Sequence, residues 1–284
     1  MGGYREILVA VDGSPSSTHA LKESFKLAYN EGSWITVVSV APPYEGDLAM
    51  TAIGNIQKAI KEPCEKALLE AEKMAEAERV LIKTVCEEGE PYERIVDLAD
   101  AENCDLIVLG RRGMHYLERA LIGSVTARVI GHSRRDVLVV PLNATVGWKK
   151  IFLPVDGSIY SMAAANSAIN FAKAYGGELM ILAVVDVTEE FMARAPAALD
   201  ALVRSAKDVI EDIKKKAEAS DVKAVTLVRE GEAFRVITEI AREQKVDITI
   251  MGSHGRTGLK RLLMGSVTEG VIGHATCPVL VVKA

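Results

Sequence analysis

The sequence of 284 residues contains few aromatic side chains, 5% in all, so its core must be built mainly from aliphatic residues. It also lacks an excess of positive charge, because 34 Lys and Arg stand against 39 Asp and Glu and give a formal net charge of −5. Proteins that bind nucleic acid need clustered Lys and Arg to neutralise phosphates. The charge balance therefore argues against a nucleic-acid partner.

Cysteine is scarce as well. No two cysteines have the Cys-x-x-Cys spacing, and none lies near a histidine at the spacing of metal ligands, so we expect neither a zinc site nor a disulfide scaffold. Such sparse cysteines are typical of proteins from a reducing compartment. The four are Cys64, Cys86, Cys104 and Cys277.

Long apolar runs and targeting signals are missing too. No run approaches the roughly 18 apolar residues that a membrane-spanning helix needs. The N-terminal stretch MGGYREILVAVDGS leads straight into a strand-like segment and has no signal-peptide pattern. We therefore expect a cytoplasmic protein with no membrane partner.

An internal repeat is what the chain does have. REILVAVDGSPSS in the first half matches KKIFLPVDGSIYS in the second, with Asp12 and Asp156 at equivalent places. The segments GSVTARVIGHSRRDVLVVPL and GSVTEGVIGHATCPVLVVKA agree at 12 of 20 positions. A length of 284 residues also suits two domains of ordinary size. We predict domains over 1–142 and 149–284, with 143–148 as a junction.

Each half alternates short β-branched runs with helical patterns, which is typical of a parallel sheet covered on both faces. The predicted fold class is α/β, with two tandem doubly wound domains. Each domain is a five-stranded parallel sheet of order 3-2-1-4-5 with helices on both faces. The strands are predicted over 7–11, 35–40, 80–86, 105–110 and 137–141, then over 151–155, 179–185, 223–229, 247–252 and 279–282. The first-half helices are predicted over 15–31, 55–78, 91–103 and 124–133.

In this order, successive strands are added first toward one edge of the sheet and then, from strand 4, toward the other edge. The connections therefore leave strands 1 and 4 on opposite faces and open a crevice at the carboxyl ends of these strands, where ligands bind. Asp12 ends strand 1 and Gly110 ends strand 4, so the carboxylate and the glycine loop are predicted to meet there. Glycines let backbone N–H groups approach a ligand and adopt positive φ, forming an anion-binding nest. A following helix N-terminus adds partial positive charge. These features predict a phosphate cradle.

Ordinary turn and capping chemistry is the alternative, because Gly after a strand and Ser at a helix start are common. The repetition argues against it. GRRGMHYLERALIGSVT at 110–126 returns as GSHGRTGLKRLLMGSVT 142 positions later, each time with a matching Asp. Neither the P-loop nor the Rossmann glycine pattern occurs after strand 1, where only VDGS stands.

Together, VDGS, the Gly-x-x-Gly, nine residues, Gly-Ser pattern and CPVLVV resemble the universal stress protein family, in its nucleotide-binding subclass, over essentially the whole chain. The resemblance implies a stress-response regulatory protein that binds ATP or AMP, with Mg²⁺ accompanying ATP. The Asp and Val positions would surround the adenosine, and the others would hold the ribose and phosphates. The first site would comprise Asp12, Val40, Gly110, Arg112, Gly113, Gly123, Ser124, Val125 and Thr126. The second would comprise Asp156, Val184, Gly252, His254, Gly255, Gly265, Ser266, Val267 and Thr268.

The first site departs from the family pattern at Arg111, where a small polar residue is usual, and at Met114, where Arg or Lys is favoured. Arg111 either adds a phosphate contact or folds across the cleft and obstructs it. His254 lies inside the second loop and is expected to touch ligand. His132 and His274 are expected to sit at helix ends, where the helix dipole favours cations.

The last strand of each half is apolar and should lie at a sheet edge, which is a liability unless it is paired. In the family these strands pair between domains, so the resemblance implies that 137–140 pairs with 279–282. Association of two such chains into a homodimer is a further option that this pairing leaves open.

We assign no catalytic residue and no metal ligand of the protein. Three functions remain open at this point: an adenine-nucleotide-binding regulator, a scaffold with vestigial glycine loops, and a slow ATP hydrolase. The hydrolase is disfavoured because carboxylates for Mg²⁺ and a water-orienting base cannot be identified in the sequence.

Overall fold

The first half folds around five short, nearly continuous β-branched and aliphatic strands. They are β1 (Glu6–Ala10), β2 (Trp34–Ala41), β3 (Ile82–Glu88), β4 (Leu106–Gly110) and β5 (Asp136–Val140). The computed structural model describes residues 3–43, 53–113, 122–187, 195–255 and 264–284. All pairings within this half are parallel, in the order β3-β2-β1-β4-β5. The predicted strand order is confirmed.

Helices connect these strands and cover the sheet. They are α1 (Pro15–Glu31), α2 (Ile53–Glu78), α3 (Pro91–Ala101) and α4 (Ser124–His132). The predicted start of α1 is confirmed, since the side chain of Ser14 accepts a hydrogen bond from Ser17 N and Pro15 follows as the first helical residue. Gly32 ends the helix at φ 70°, a left-handed cap that favours glycine.

The second half repeats the plan. Its strands are β6 (Lys150–Val155), β7 (Glu178–Val185), β8 (Ala224–Glu230), β9 (Ile248–Gly252) and β10 (Val279–Val282). They are parallel in the order β8-β7-β6-β9-β10. The described helices are α5 (Ile159–Tyr175), α6 (Pro196–Glu218), α7 (Ala233–Glu243) and α8 (Ser266–His274). Ser158 caps α5 as Ser14 caps α1.

Both sheets are covered on their two faces. Consecutive residues of β1 such as Leu8 and Val9, whose side chains point to opposite faces, are each 0% exposed. The same holds for Ile151 and Phe152 of β6. In the first half α1 packs with α2, and α3 packs with α4, while helices of both pairs contact the strands. The doubly wound α/β class is confirmed.

The chain divides into two compact units at Leu142, so that Tyr4–Leu142 forms one and Asn143–Ala284 contributes to the other. Trp148, from the predicted junction, is 6% exposed and stacks on α5. Its ring centroid lies 4.3 Å from that of Phe171 and 5.2 Å from that of Tyr175. This tryptophan is therefore part of the packing of the second unit.

The sequence predicts no disulfide scaffold, but the structure contains one disulfide. Cys64 on α2 and Cys86 on β3 are joined, with their Cα atoms 6.2 Å apart. They are separated by 22 residues in sequence and meet only because α2 packs against β3. Cys104 and Cys277 are free and buried.

The strand predicted over 80–86 lies two residues later, as Ile82–Glu88. The reason is the end of α2, where Arg79 takes a left-handed φ of 57° and turns the chain before the strand begins. In the described parts of the chain, no helix combines the length and apolar character needed to cross a membrane.

Candidate functional site

The carboxylate that follows β1 is held in a tight turn. Asp12 is exposed, and its Oδ1 accepts hydrogen bonds from Ser14 N at 3.0 Å and from Ser17 Oγ at 2.8 Å. Gly13 between them has φ 78°, a conformation that strains any residue with a Cβ. The turn therefore holds Oδ1 of Asp12 in place through one backbone N–H and one serine hydroxyl.

The second half builds the same turn after β6. Asp156 Oδ1 accepts from Ser158 N at 3.0 Å, and Gly157 has φ 81°. Asp156 is half-buried, whereas Asp12 is exposed. Both carboxylates thus lie at the carboxyl ends of central strands, where the strand order reverses.

The glycine that ends the fourth strand of each half allows a helix to approach the sheet. A Cβ on Gly110 would lie only 2.6–2.8 Å from atoms of Ser16, and a Cβ on Gly252 only 2.7–2.8 Å from atoms of Tyr160. These neighbours include backbone atoms of α1 and α5, which cannot rotate away. Both glycines serve the packing of the first helix of their half on the sheet.

The next motif glycine lies against the carboxylate. A Cβ on Gly113 would collide with Asp12 Oδ2, and one on Gly255 would lie 2.9 Å from Asp156 Oδ2. The predicted meeting of the carboxylate and the glycine loop is therefore present in both halves.

The expectation that the motif glycines adopt positive φ is wrong. None of them has a φ in the left-handed region; the six are Gly110, Gly113, Gly123, Gly252, Gly255 and Gly265. The left-handed residues of the crevices are Gly13 and Gly157, on the carboxylate turns. Close approach to neighbouring atoms is the reason for glycine in the loop.

A helix N-terminus completes each crevice. α4 begins at Ser124 after the N-cap Gly123, and α8 begins at Ser266 after Gly265, in both cases with no side-chain capping bond. The serines are therefore the first helical residues, not the caps, and both are exposed. Uncapped N–H groups at a helix start favour anions.

The N-cap glycine sits directly against the loop. Gly123 N donates to Arg111 O and Gly265 N donates to Ser253 O, both at 2.9 Å. A Cβ on Gly123 would lie 3.5 Å from Gly113 N, and the corresponding distance from Gly265 to Gly255 N is also 3.5 Å. Carboxylate, loop glycine and N-cap glycine thus form a continuous row in each half.

The threonines of GSVT have a structural task. Thr126 and Thr268 are buried, and their hydroxyls donate to Gly110 O and Gly252 O, each at 3.0 Å. These bonds tie the helix start to the end of the fourth strand. Val125 and Val267, one residue earlier, are half-buried.

The two valines predicted near the adenosine lie on the second strand of each half. Val11 N donates to Val38 O, so Val40 lies beyond the end of β1. It is therefore at the carboxyl end of the strands, where Asp12 also lies. The register Val155↔Ala183 places Val184 just past the end of β6. Both valines are half-buried.

The same plan is found in known proteins. The sequence matches the family described as the universal stress protein family twice, over residues 3–141 and 147–283. The chain belongs to the universal stress protein family.

Relatives in the family match either one half or the whole chain. A universal stress protein of Methanocaldococcus jannaschii is 41% identical over 140 residues, which cover 48% of this chain and 82% of that protein. One from Mycolicibacterium smegmatis is 26% identical and covers 98% of this chain and 96% of its own. A universal stress protein structure from Archaeoglobus fulgidus covers 98% of this chain and 96% of its own, with a TM-score of 0.71 and 22% identity. The last comparison supports the tandem fold.

The two halves of this universal stress protein differ inside the loop. In the first half Arg111 is half-buried, and burial, reinforced by the charge of Arg112, lowers the pKa of its guanidinium. Arg112 N lies 3.5 Å from Ser16 Oγ. Met114 falls outside the described residues. The first loop therefore carries two arginines immediately before Gly113.

In the second half the corresponding residues are polar and aromatic. Ser253 is 2% exposed, and its Oγ lies 3.1 Å from His254 Nδ1. The His254 ring lies 5.3 Å from the ring of Tyr160, measured between centroids. This packing orients the imidazole beside Gly255, and its contact with a ligand stays a prediction.

Two further histidines lie at the helix ends where they were predicted. His132 and His274 are the last residues of α4 and α8, and the Nδ1 of each lies 2.8 Å from the carbonyl oxygen four residues earlier. Within the described ranges there is no cluster of His, Cys, Asp and Glu that would hold a metal ion.

Ser17 contacts the Asp12 carboxylate but was not among the predicted site residues. It lies five residues after Asp12 and donates to its carboxylate, and Ser161 stands five residues after Asp156. The repeated spacing was the signal available in the sequence.

Proposed function

We propose that each half binds one adenine nucleotide, ATP or AMP, in the crevice between its first and fourth strands. The observation that carries this proposal is the row of carboxylate, loop glycine and uncapped N-cap glycine, which occurs in both halves. A carboxylate accepts hydrogen bonds from a nucleoside, and a helix N-terminus binds phosphate. A nucleotide carries both groups on one molecule.

The proposed roles follow from the positions. In the first half Asp12 and Val40 would contact the adenosine, and the glycines with Ser124 would supply N–H and hydroxyl donors to the ribose and phosphates. In the second half Asp156 and Val184 would do the same, with Ser266 at the helix start. Arg112 and His254 are the loop side chains proposed to approach the phosphates.

The close contacts support a ligand that is bound mainly by backbone groups. Glycine at the loop and N-cap positions leaves no Cβ between the carboxylate and the helix start. Mg²⁺ bound with ATP would be held chiefly by the phosphates and water, as is usual for this ion.

We infer a binding protein with a regulatory role in stress responses, in the cytoplasm, and not an enzyme. A slow ATP hydrolase is the competing function. Release of phosphate from ATP that disappears in Asp12→Ala or Asp156→Ala would establish the competitor. A rate of phosphate release that is unchanged by both substitutions would point to a contaminating ATPase.

We also propose that the last strands of the two halves, 137–140 and 279–282, pair with each other. Both are fully apolar runs, which are costly to leave at an open edge. Amide hydrogen exchange tests this pairing. Protection at every residue of β5 is expected, whereas rapid exchange at alternate residues, those facing away from β4, would contradict it.

Isothermal titration calorimetry with AMP and with ATP tests the binding proposal. Asp156→Ala and Gly265→Val should abolish binding at the second site, and Asp12→Ala is the matched control that should spare it. Circular dichroism of each variant checks that it is folded. If a folded wild-type chain shows no nucleotide binding, the proposal fails.

A further inference from the structure

The disulfide between Cys64 and Cys86 lies in a row of contacts that joins α2 to β3. The strand residues in this row are two positions apart, the spacing of side chains on one face of a strand. The pairs on either side of the disulfide are Thr84 Oγ1 with Glu72 Oε1 at 2.7 Å and Glu88 Oε2 with Lys61 Nζ at 3.3 Å. Polar pairs therefore flank the crosslink on both sides along β3.

The two sulfurs differ in their access to solvent. Cys64 on the helix is 3% exposed, whereas Cys86 on β3 is exposed. β3 is the edge strand of its half, and of the strands described there only β2 pairs with it. A small thiol in solution can therefore reach Cys86 far more easily than Cys64.

The second half provides an internal comparison. Its contact between Thr226 Oγ1 and Glu211 Oε1, at 2.8 Å, repeats the contact at Thr84. At the position of Cys86, however, β8 carries Val228, because Ser39 pairs with Cys86 while Ala183 pairs with Val228. The crosslink is thus specific to the first half and is not needed to build this fold.

The other two cysteines are poorly suited to exchange. Burial raises the pKa of the Cys104 thiol to about 11 and also raises the pKa of Cys277. Thiol–disulfide exchange requires the thiolate and access to it. Reagents added to the folded protein should therefore report on Cys64 and Cys86 alone.

We propose that Cys64 and Cys86 form a thiol–disulfide exchange site, with Cys86 as the sulfur that accepts a small-molecule thiol. The ligand class is a low-molecular-weight thiol together with its disulfide. The proposal is independent of nucleotide binding.

Reduction of the Cys64–Cys86 disulfide takes two successive thiol–disulfide exchanges. The thiolate of the small molecule attacks Cys86 Sγ, the Cys64–Cys86 bond breaks, and Cys64 leaves as a thiolate. A second small thiolate then attacks the small-molecule sulfur of the mixed disulfide, and Cys86 leaves. The two small thiols are oxidised to one disulfide, the protein gains two electrons, and its two thiolates take protons from solvent.

Glutathione is the probe for the experiment on the full-length folded chain. Reduced wild type treated with oxidised glutathione should return to the Cys64–Cys86 disulfide, identified by peptide mass mapping. Cys64→Ser should trap one glutathione per chain at Cys86, because the resolving thiol is missing. Cys86→Ser should take up none under the same conditions.

Three results would overturn the proposal. They are equal glutathione uptake by both variants, modification at Cys104 or Cys277 in folded wild type, and failure of the reduced wild type to re-form the crosslink. Cys86→Val is the control for misfolding, because it introduces the valine that the second half has at the equivalent position, Val228. It should remain folded, unreactive and without the crosslink.

Discussion

The contact between the loop glycine and the carboxylate makes Gly255→Ala the sharpest test of the second crevice. The added Cβ would lie 2.9 Å from Asp156 Oδ2, whereas unbonded heavy atoms prefer roughly 3.5 Å or more. The carboxylate must therefore move by roughly half an ångström. Because the obstructing atoms belong to a side chain and not to the backbone, the fold can absorb the change.

The size of the effect follows from the hydrogen bonds of the carboxylate. Movement would weaken the 3.0 Å bond from Ser158 N that orients Asp156. A hydrogen bond to a charged group contributes about 1.5–3 kcal/mol net. Loss of one such bond to the ligand corresponds to weaker binding by about 10- to 150-fold at the second site.

Calorimetric titration with AMP measures this loss. Gly113→Ala is the matched variant, since its Cβ would collide with Asp12 in the first crevice. Each variant should lose affinity at one site and keep it at the other. Wild-type affinity at both sites in Gly255→Ala would refute the role given to the carboxylate.

Three further predictions concern stability. Thr268→Val should cost about 1–3 kcal/mol in denaturant unfolding, because it leaves the carbonyl that ends β9 buried without its partner, while the exposed Ser266→Ala should change little. Trp148→Ala should cost about 3–5 kcal/mol through lost stacking on α5, whereas Trp34→Ala, at a side chain 64% exposed, should be nearly neutral; comparable losses would contradict the packing. Since burial raises the pKa of Cys104 from its ordinary 9.0 to about 11, its thiol stabilises the fold below pH 9, and this contribution is lost as the pH rises to 11. Cys104→Ala should flatten the unfolding free energy across that window, and an unchanged slope would argue against the shift.

Local sequence signals predicted most of the fold. Ser14 followed by Pro15 marks the start of α1, and the helix runs over the predicted 15–31. The buried strands were readable as β-branched runs because both sheet faces are covered. Boundaries moved where a turn depends on one backbone conformation, as at Arg79.

Contacts between segments that are distant in the sequence could not be predicted from local patterns. The Cys64–Cys86 crosslink exists because a helix packs on an edge strand, and no local spacing encodes that. The Gly-x-x-Gly pattern suggested left-handed backbone at Gly113, whereas the structure uses the missing Cβ to admit Asp12.

Native mass spectrometry of the nucleotide-free chain, titrated with AMP or ATP, tests the central proposal most directly. We predict up to two nucleotides per chain, with binding of one weakened about 10- to 150-fold in Gly255→Ala and binding of both weakened when Gly113→Ala is added. A folded wild-type chain that takes up no adenine nucleotide at millimolar concentration would contradict it.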